Sequence, residues 1–244
     1  MTLGPADDGV GRPLGPVVGI VVVAAGSGER LGAGRPKALV EVAGRSLIAH
    51  AVAGLGEAGF TSVVVVHTPG EEAAFRAAVA GAGTDAGVEV VLVPGGADRS
   101  ASVRAGLAAL PGDVEVVAVH DAARAFTPPA VLRAVVAAVT GDVVAAAPAV
   151  PVADTLKRVD GHRVTGTVDR SELVAVQTPQ VFPAAVLRAV ATEGASATDE
   201  LALVEQHLAD GRLEGRIVWV PGSARGFKVT VPEDLELAEV FATR

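Results

Sequence analysis

Five short apolar runs, the first four each followed by a loop rich in Gly, Pro or Asp and then by a helix-like stretch, constrain this 244-residue chain more than any other feature. The runs are Val17 to Ala24, Ser62 to His67, Val88 to Val93, Val114 to Val119 and Val143 to Ala147. The first is unbroken and β-branched, as a strand covered on both faces must be. Between the runs, Ser46 can cap a helix reaching about Ala58, and a second helix spans about Gly70 to Ala80. Asp98 can cap a third through Leu110, and Pro128-Pro129 open a fourth. Strands alternating with helices predict an α/β fold: a mostly parallel sheet with helices on both faces. Such sheets bind ligands outside the C-terminal ends of their strands. The loops after the first, third and fourth runs should therefore meet at one site.

Composition narrows the function classes. Apolar residues make up 50% of the chain but aromatics only 3%, so Val, Ala and Leu must build the core. The absence of Cys excludes a disulfide scaffold, a thiolate zinc site and a thiol nucleophile. A net charge of −8 argues against a nucleic-acid partner, yet permits a local basic pocket for a small anion. The uncharged stretch from Pro13 to Gly28 is too broken by Gly and Pro for a membrane span. Asp7 and Asp8 cancel Arg12, which spoils a secretory n-region, so a cytoplasmic protein is expected. Residues 1–16 read as a loose tail and 17–244 as a single domain, with no second enzymatic domain after the last helix.

The alternation breaks between Pro151 and Gln180. Thr155 to Val159 and Arg163 to Val168 read as a hairpin turning at Asp160-Gly161-His162. It is too polar to bury a face alone. A protruding arm over about 151–176 that packs on a second subunit is the expectation. The tail returns to α/β, with helices from Pro183, from about Thr198 and after Pro232, and a strand over Arg216 to Val220.

Three loops carry chemistry. The first reads Ala24-Ala25-Gly26-Ser27-Gly28-Glu29-Arg30, then Arg35-Pro36-Lys37. Its glycines can turn backbone N–H groups toward phosphate oxygens, and Arg30 and Lys37 add positive charge. No Gly-Lys-Ser/Thr ends it, so it is not a P-loop. A dinucleotide-binding turn would need an acid at the end of the second strand, which instead ends Val66-His67-Thr68. The second loop, Gly95-Gly96 with Arg99, Ser102 and Val103, lets a flat base lie against backbone, with Ser102 able to bond its edge. The third, His120-Asp121-Ala122-Ala123-Arg124, places an acid where a metal or a hydroxyl could bind. Only 3 of the 20 basic residues are Lys, and Lys37, Lys157 and Lys228 each fall inside a motif.

Taken in order, these three loops resemble the 2-C-methyl-D-erythritol 4-phosphate cytidylyltransferase family. Asp154 to Arg158, Thr167 to Arg170, Gln177 to Gln180, Thr198 to Glu200 and Lys228 to Thr230 extend the match collinearly from about Val17 to the C-terminus. The resemblance implies a Rossmann-like sheet of the nucleotide-diphospho-sugar transferase type. It implies cytidylyl transfer from CTP to 2-C-methyl-D-erythritol 4-phosphate in non-mevalonate isoprenoid synthesis, with pyrophosphate released. It also implies Mg²⁺ as cofactor and a homodimer joined through the arm. By matching position, Ala24, Ala25, Gly26, Ser27, Gly28, Gly95, Gly96 and Ser102 would hold CTP. Arg30 and Lys37 would stabilise charge at the α-phosphorus. Asp121, Arg124, Thr155, Arg170, Thr178 and Lys228 would bind the acceptor, Thr155 and Arg170 across the dimer, and Asp121 is the candidate metal contact. Three other readings stay open on the sequence: a ribitol 5-phosphate cytidylyltransferase, a CTP-binding sensor without turnover, and a uridylyl or guanylyl transferase.

Overall fold

The computed structural model describes residues 17–192 and 199–243. The predicted tail over 1–16 and Thr198 lie outside them. The chain runs through β1 (Val18–Val23), β2 (Glu41–Val42), β3 (Arg45–Ser46), α1 (Leu47–Glu57), β4 (Ser62–His67) and α2 (Glu72–Ala86). It continues through β5 (Glu89–Pro94), α3 (Arg99–Ala109), β6 (Val116–Asp121), α4 (Pro129–Ala137) and β7 (Val143–Pro151). After the hairpin β8 (Lys157–Asp160) and β9 (Arg163–Thr167) come β10 (Val174–Val176), β11 (Gln180–Pro183), α5 (Ala184–Val190), α6 (Glu200–Ala209), β12 (Arg216–Pro221) and α7 (Pro232–Ala242).

One sheet of order β5-β4-β1-β6-β11-β7-β10 organises the molecule, with β12 also paired to β7. The pairs β1–β4, β1–β6, β4–β5 and β7–β12 are parallel. Strand residues alternate between the faces with period 2. Ile20, Val22, Val63, Val65 and Ala118 face Ile48 and Val52 of α1, Phe75 of α2 and Leu132 and Val135 of α4. Val21, Val64, Val66, Val117 and Val119 face Val103 and Leu107 of α3, Leu187 of α5 and Val204 of α6. Since both faces are covered, the strands can be Val-rich throughout. A third cluster joins Val40, Val42, Leu47, Val229 and Ala238, and packs α7 under the loops that carry Lys37 and Lys228.

Both predicted caps form: Ser46 Oγ accepts from the Ala49 N–H at 3.2 Å, and Asp98 Oδ1 from the Ala101 N–H at 2.7 Å. Two strands depart from the expected pattern. β11 inserts antiparallel between β6 and β7, and β10 returns antiparallel along the end of β7. Their sequence, from Val174 to Pro183, is short and holds Gln177, Pro179 and Gln180, so it lacks a strand-like apolar pattern. The arm is thus an excursion that leaves the sheet at Pro151 and re-enters at Val174. Its hairpin leaves Val159 and Val164 exposed at 62% and 60%. Among the described residues, no helix is long and apolar enough to cross a membrane.

Candidate active site

The loops after β1, β5 and β6 meet at a cleft of about 320 Å³. Ala24, Ala25, Gly26, Lys37, Gly96, Ser102, Asp121 and Lys228 form its wall, together with Arg99 and Asp98. This is where the strand order places a ligand site in an open α/β sheet.

Close backbone approach explains the first loop. Gly28 has φ +73°, and a Cβ there would lie 2.8 Å from Lys37 Cβ. Only glycine lets the two ends of the loop close on each other. The Lys37 N–H then donates to the Gly26 carbonyl at 3.3 Å, and its Nζ donates to the Val229 carbonyl at 3.1 Å. Gly95 meets the same loop, since a Cβ there would lie 2.6 Å from Ala25 Cβ. Ser102 Oγ donates to the Asp98 carbonyl at 2.9 Å and accepts from the Gly96 N–H at 3.1 Å. Its hydroxyl proton therefore shapes the second loop, and one lone pair remains for a ligand.

Asp121 ends β6 inside a ring of cations. Its Oδ2 accepts from Lys228 Nζ at 2.7 Å, and its Oδ1 lies 3.5 Å from an Arg99 amino group. Burial by itself would raise its pKa, but Lys228, Arg99 and Arg124 hold it down at about 2. Burial lowers the Lys37 pKa, and the charges of Lys228 and Arg30 lower it further. Behind the wall, the Asp121 N–H donates to Thr178 Oγ1 at 3.0 Å, which shares a 2.9 Å hydrogen bond with His120 Nδ1. Burial pushes the His120 pKa down to about 4, so this imidazole is neutral at physiological pH.

Several predicted residues fall outside the wall. Thr178 is buried behind Asp121. Arg124 donates to the Gly226 carbonyl at 2.7 Å and the Val176 carbonyl at 3.4 Å, tying β10 to the loop that carries Lys228. Ser27 and Arg30 are exposed on the first loop, and Gly28 and Gly95 shape it from outside the cleft surface. Thr155 and Arg170 lie on the exposed arm, where Arg170 bonds the Ala153 carbonyl. Lys157, also on the arm, bonds across the hairpin to Thr167 Oγ1 at 2.7 Å. Sequence reasoning assigns no site role to Arg99 or Glu200. In the structure Arg99 bridges Asp121 and Glu200. The three stand in separate motifs, so only the fold brings them together.

The family model for 2-C-methyl-D-erythritol 4-phosphate cytidylyltransferase matches residues 18–244. The protein of that name from Saccharopolyspora erythraea is 49% identical over 225 residues, which is 90% of this chain and 96% of that protein. A bifunctional enzyme IspD/IspF from Clavibacter michiganensis is 51% identical over 246 residues. That alignment takes in 98% of this chain, which spans 58% of the bifunctional protein. The crystal structure of 2-C-methyl-D-erythritol 4-phosphate cytidylyltransferase from Thermus thermophilus superposes with a TM-score of 0.72 at 34% identity, over 92% of this chain and 98% of that one. Because the family match takes in every strand of the sheet and all three cleft loops, the chain belongs to the 2-C-methyl-D-erythritol 4-phosphate cytidylyltransferase family.

Proposed function

We propose that this cleft joins CTP to 2-C-methyl-D-erythritol 4-phosphate, with the roles divided as follows. The backbone around Ala24 to Gly28 and Gly95-Gly96, with Ser102, holds the nucleotide. Lys228 and Asp121 hold the acceptor by its phosphate and hydroxyls. A phosphate oxygen of the acceptor forms a bond to the α-phosphorus of CTP. The bond from that phosphorus to the β-phosphate oxygen breaks, and pyrophosphate leaves with the electron pair. The attacking monoester is already a dianion near neutral pH, so no general base is required. Lys37, steadied by the Val229 carbonyl, and Arg30 meet the charge that develops at the α-phosphorus.

The donor set fits a Mg²⁺ shared with substrate rather than caged by protein. Among the described residues no group of three His, Cys, Asp or Glu side chains gathers as a metal site. Of the two carboxylates in the wall, Asp98 caps α3, so Asp121 would be the protein's contact to a bound Mg²⁺. Mg²⁺ is commonly held by one or two carboxylates plus substrate phosphates, and when bound it neutralises phosphate charge. The polar, exposed hairpin with Val159 and Val164 uncovered supports a homodimer joined through the arm over 151–176, with Thr155 and Arg170 reaching a second copy. The remaining chain from 17 acts as one catalytic domain, in the cytoplasm, with neither nucleic acid nor membrane as partner.

The observation that carries this reading is the convergence of Lys37 and Lys228 on a cleft between two glycine-rich loops, with Asp121 held by Lys228. Pyrophosphate release with Mg²⁺ and CTP, with methylerythritol phosphate or ribitol 5-phosphate added in parallel, tests it. Release with methylerythritol phosphate is expected. Release with ribitol phosphate alone would overturn the acceptor, and CTP binding without any release would overturn turnover itself.

A further inference from the structure

Behind Arg99 in the cleft wall stands a carboxylate that the mechanism above does not use. Glu200 begins α6, and its side chain is only 3% exposed. One oxygen is 2.5 Å from an Arg99 amino group, while Oε2 has no hydrogen-bond partner among the described residues. Its backbone is fixed too, because Gln180 Oε1 accepts from the Glu200 and Leu201 N–H groups at 3.1 and 3.2 Å. The Gln180 amide also donates to Asp199 at 2.9 Å, so β11 clamps the first turn of α6. Arg99 thus has one amino group held tightly by Glu200 and the other held loosely, 3.5 Å from Asp121 Oδ1. A guanidinium free of Glu200 could close on Asp121 as a bidentate pair, the geometry that best suits these two groups.

We infer that Glu200 is a positioning residue: it restrains Arg99 from closing on Asp121, and so keeps Asp121 Oδ1 available to the acceptor. This rests on the acceptor role proposed for Asp121. The role is separable from general structural support, because its effect must pass through Arg99.

The test is steady-state kinetics of wild type, E200Q and the double variant R99M/E200Q, each with its thermal midpoint. E200Q keeps the size of the side chain and removes the charge. Its KM for methylerythritol phosphate is expected to rise about tenfold, with the KM for CTP changing less than about twofold, as for a group competing with one substrate only. Removing Arg99 as well should lower the acceptor KM at least about threefold from its E200Q value. An unchanged acceptor KM in E200Q overturns the inference. So does a double variant as impaired as E200Q at an equal thermal midpoint. A wild-type enzyme that turns over no acceptor would instead refute the functional reading, so the two failures are distinguishable. Should E200Q not fold, ¹⁵N-arginine NMR of the wild-type protein gives a second reading. Separate Arg99 Nη signals are expected from a guanidinium held at one end, and a single averaged signal overturns the restraint.

Discussion

Gly28 offers the sharpest test of how the first loop sets the position of Lys37. Replacing it with Ala has two effects. The first is backbone strain, since φ is +73°, and an L-residue with a Cβ in the left-handed region costs about 1–2 kcal/mol. The second is a contact that cannot relax by swinging a flexible side-chain end. The new Cβ would lie 2.8 Å from Lys37 Cβ, 3.2 Å from its Cα and 3.3 Å from its N. Reaching ordinary contact requires Lys37 to retreat by roughly half an ångström; with about 1 Å of misplacement costing about 100-fold, the expected loss in kcat is about tenfold. Gly44 supplies the control. Its φ is +74°, but no described atom lies within 4 Å of a Cβ there. Both Gly28→Ala and Gly44→Ala should lower the melting temperature by about 2–8 °C. Only Gly28→Ala should lower kcat, measured as pyrophosphate release at saturating substrates. Equal kcat values in the two variants would refute the claim that this glycine positions Lys37.

Lys37→Ala should cost about 100- to 1000-fold in kcat, as for removal of one preorganised donor, with a melting temperature near that of wild type. Burial, then Lys228 and Arg30, lower the Lys37 pKa, and its role needs the protonated form. The alkaline fall of kcat should therefore begin below the usual lysine range and move to higher pH in Lys37→Arg; an unmoved limb would count against Lys37. Asp121 titrates at about 2 when folded against 3.8 as a free side chain. Its ionised form should contribute about 2 kcal/mol of stability that is full above about pH 4 and is lost as pH falls toward 2. Melting curves of wild type and Asp121→Asn should reveal this as a gap that closes on acidification. Mixing Arg170→Ala with Lys37→Ala protein should restore activity through hybrid dimers if the arm serves the neighbouring site, and no recovery after confirmed subunit exchange would exclude such sharing.

The parallel half of the sheet was legible because β1, β4, β5 and β6 are Val-rich runs, and because each ends in a loop with its own signature. The clamp strands were not. β10 is only the three residues Val174–Val176 and β11 the four residues Gln180–Pro183, with Gln177 and Pro179 between them, and only pairing with β7 and β6 makes such short runs strands. The cleft loops were legible for a related reason: glycines at close approaches leave a mark in sequence that ion pairs do not. Gly28 and Gly95 are where a Cβ would strike Lys37 and Ala25. Arg99 and Glu200, by contrast, are 101 residues apart, and their pairing depends on how α6 is set against β11. Thr178 and Arg124 stand in motifs that read as acceptor contacts, yet their side chains bond the protein itself and hold Asp121 and the Lys228 loop in place.

The charge pattern links these parts. A chain of net charge −8 repels polyanions at long range, so the attraction that brings in two phosphorylated substrates must act within about one Debye length, roughly 8 Å, of the cleft. On the proposed roles, Lys37, Lys228 and Arg30 would supply that attraction, and their mutual repulsion adds to burial, the larger cause, in lowering the Lys37 pKa. Asp121 offsets the repulsion and orients Lys228 through the 2.7 Å bond, so the cations are already in place before any phosphate contributes its own charge. Using lysines at two of these points matters. An ammonium has three donors, so Lys37 can spend one on the Val229 carbonyl and Lys228 one on Asp121 while each retains two for phosphate oxygens. On the proposed roles, the cleft would hold its cations by bonds that leave donors for phosphate, which is the condition for stabilising a transition state without reorganising as it forms.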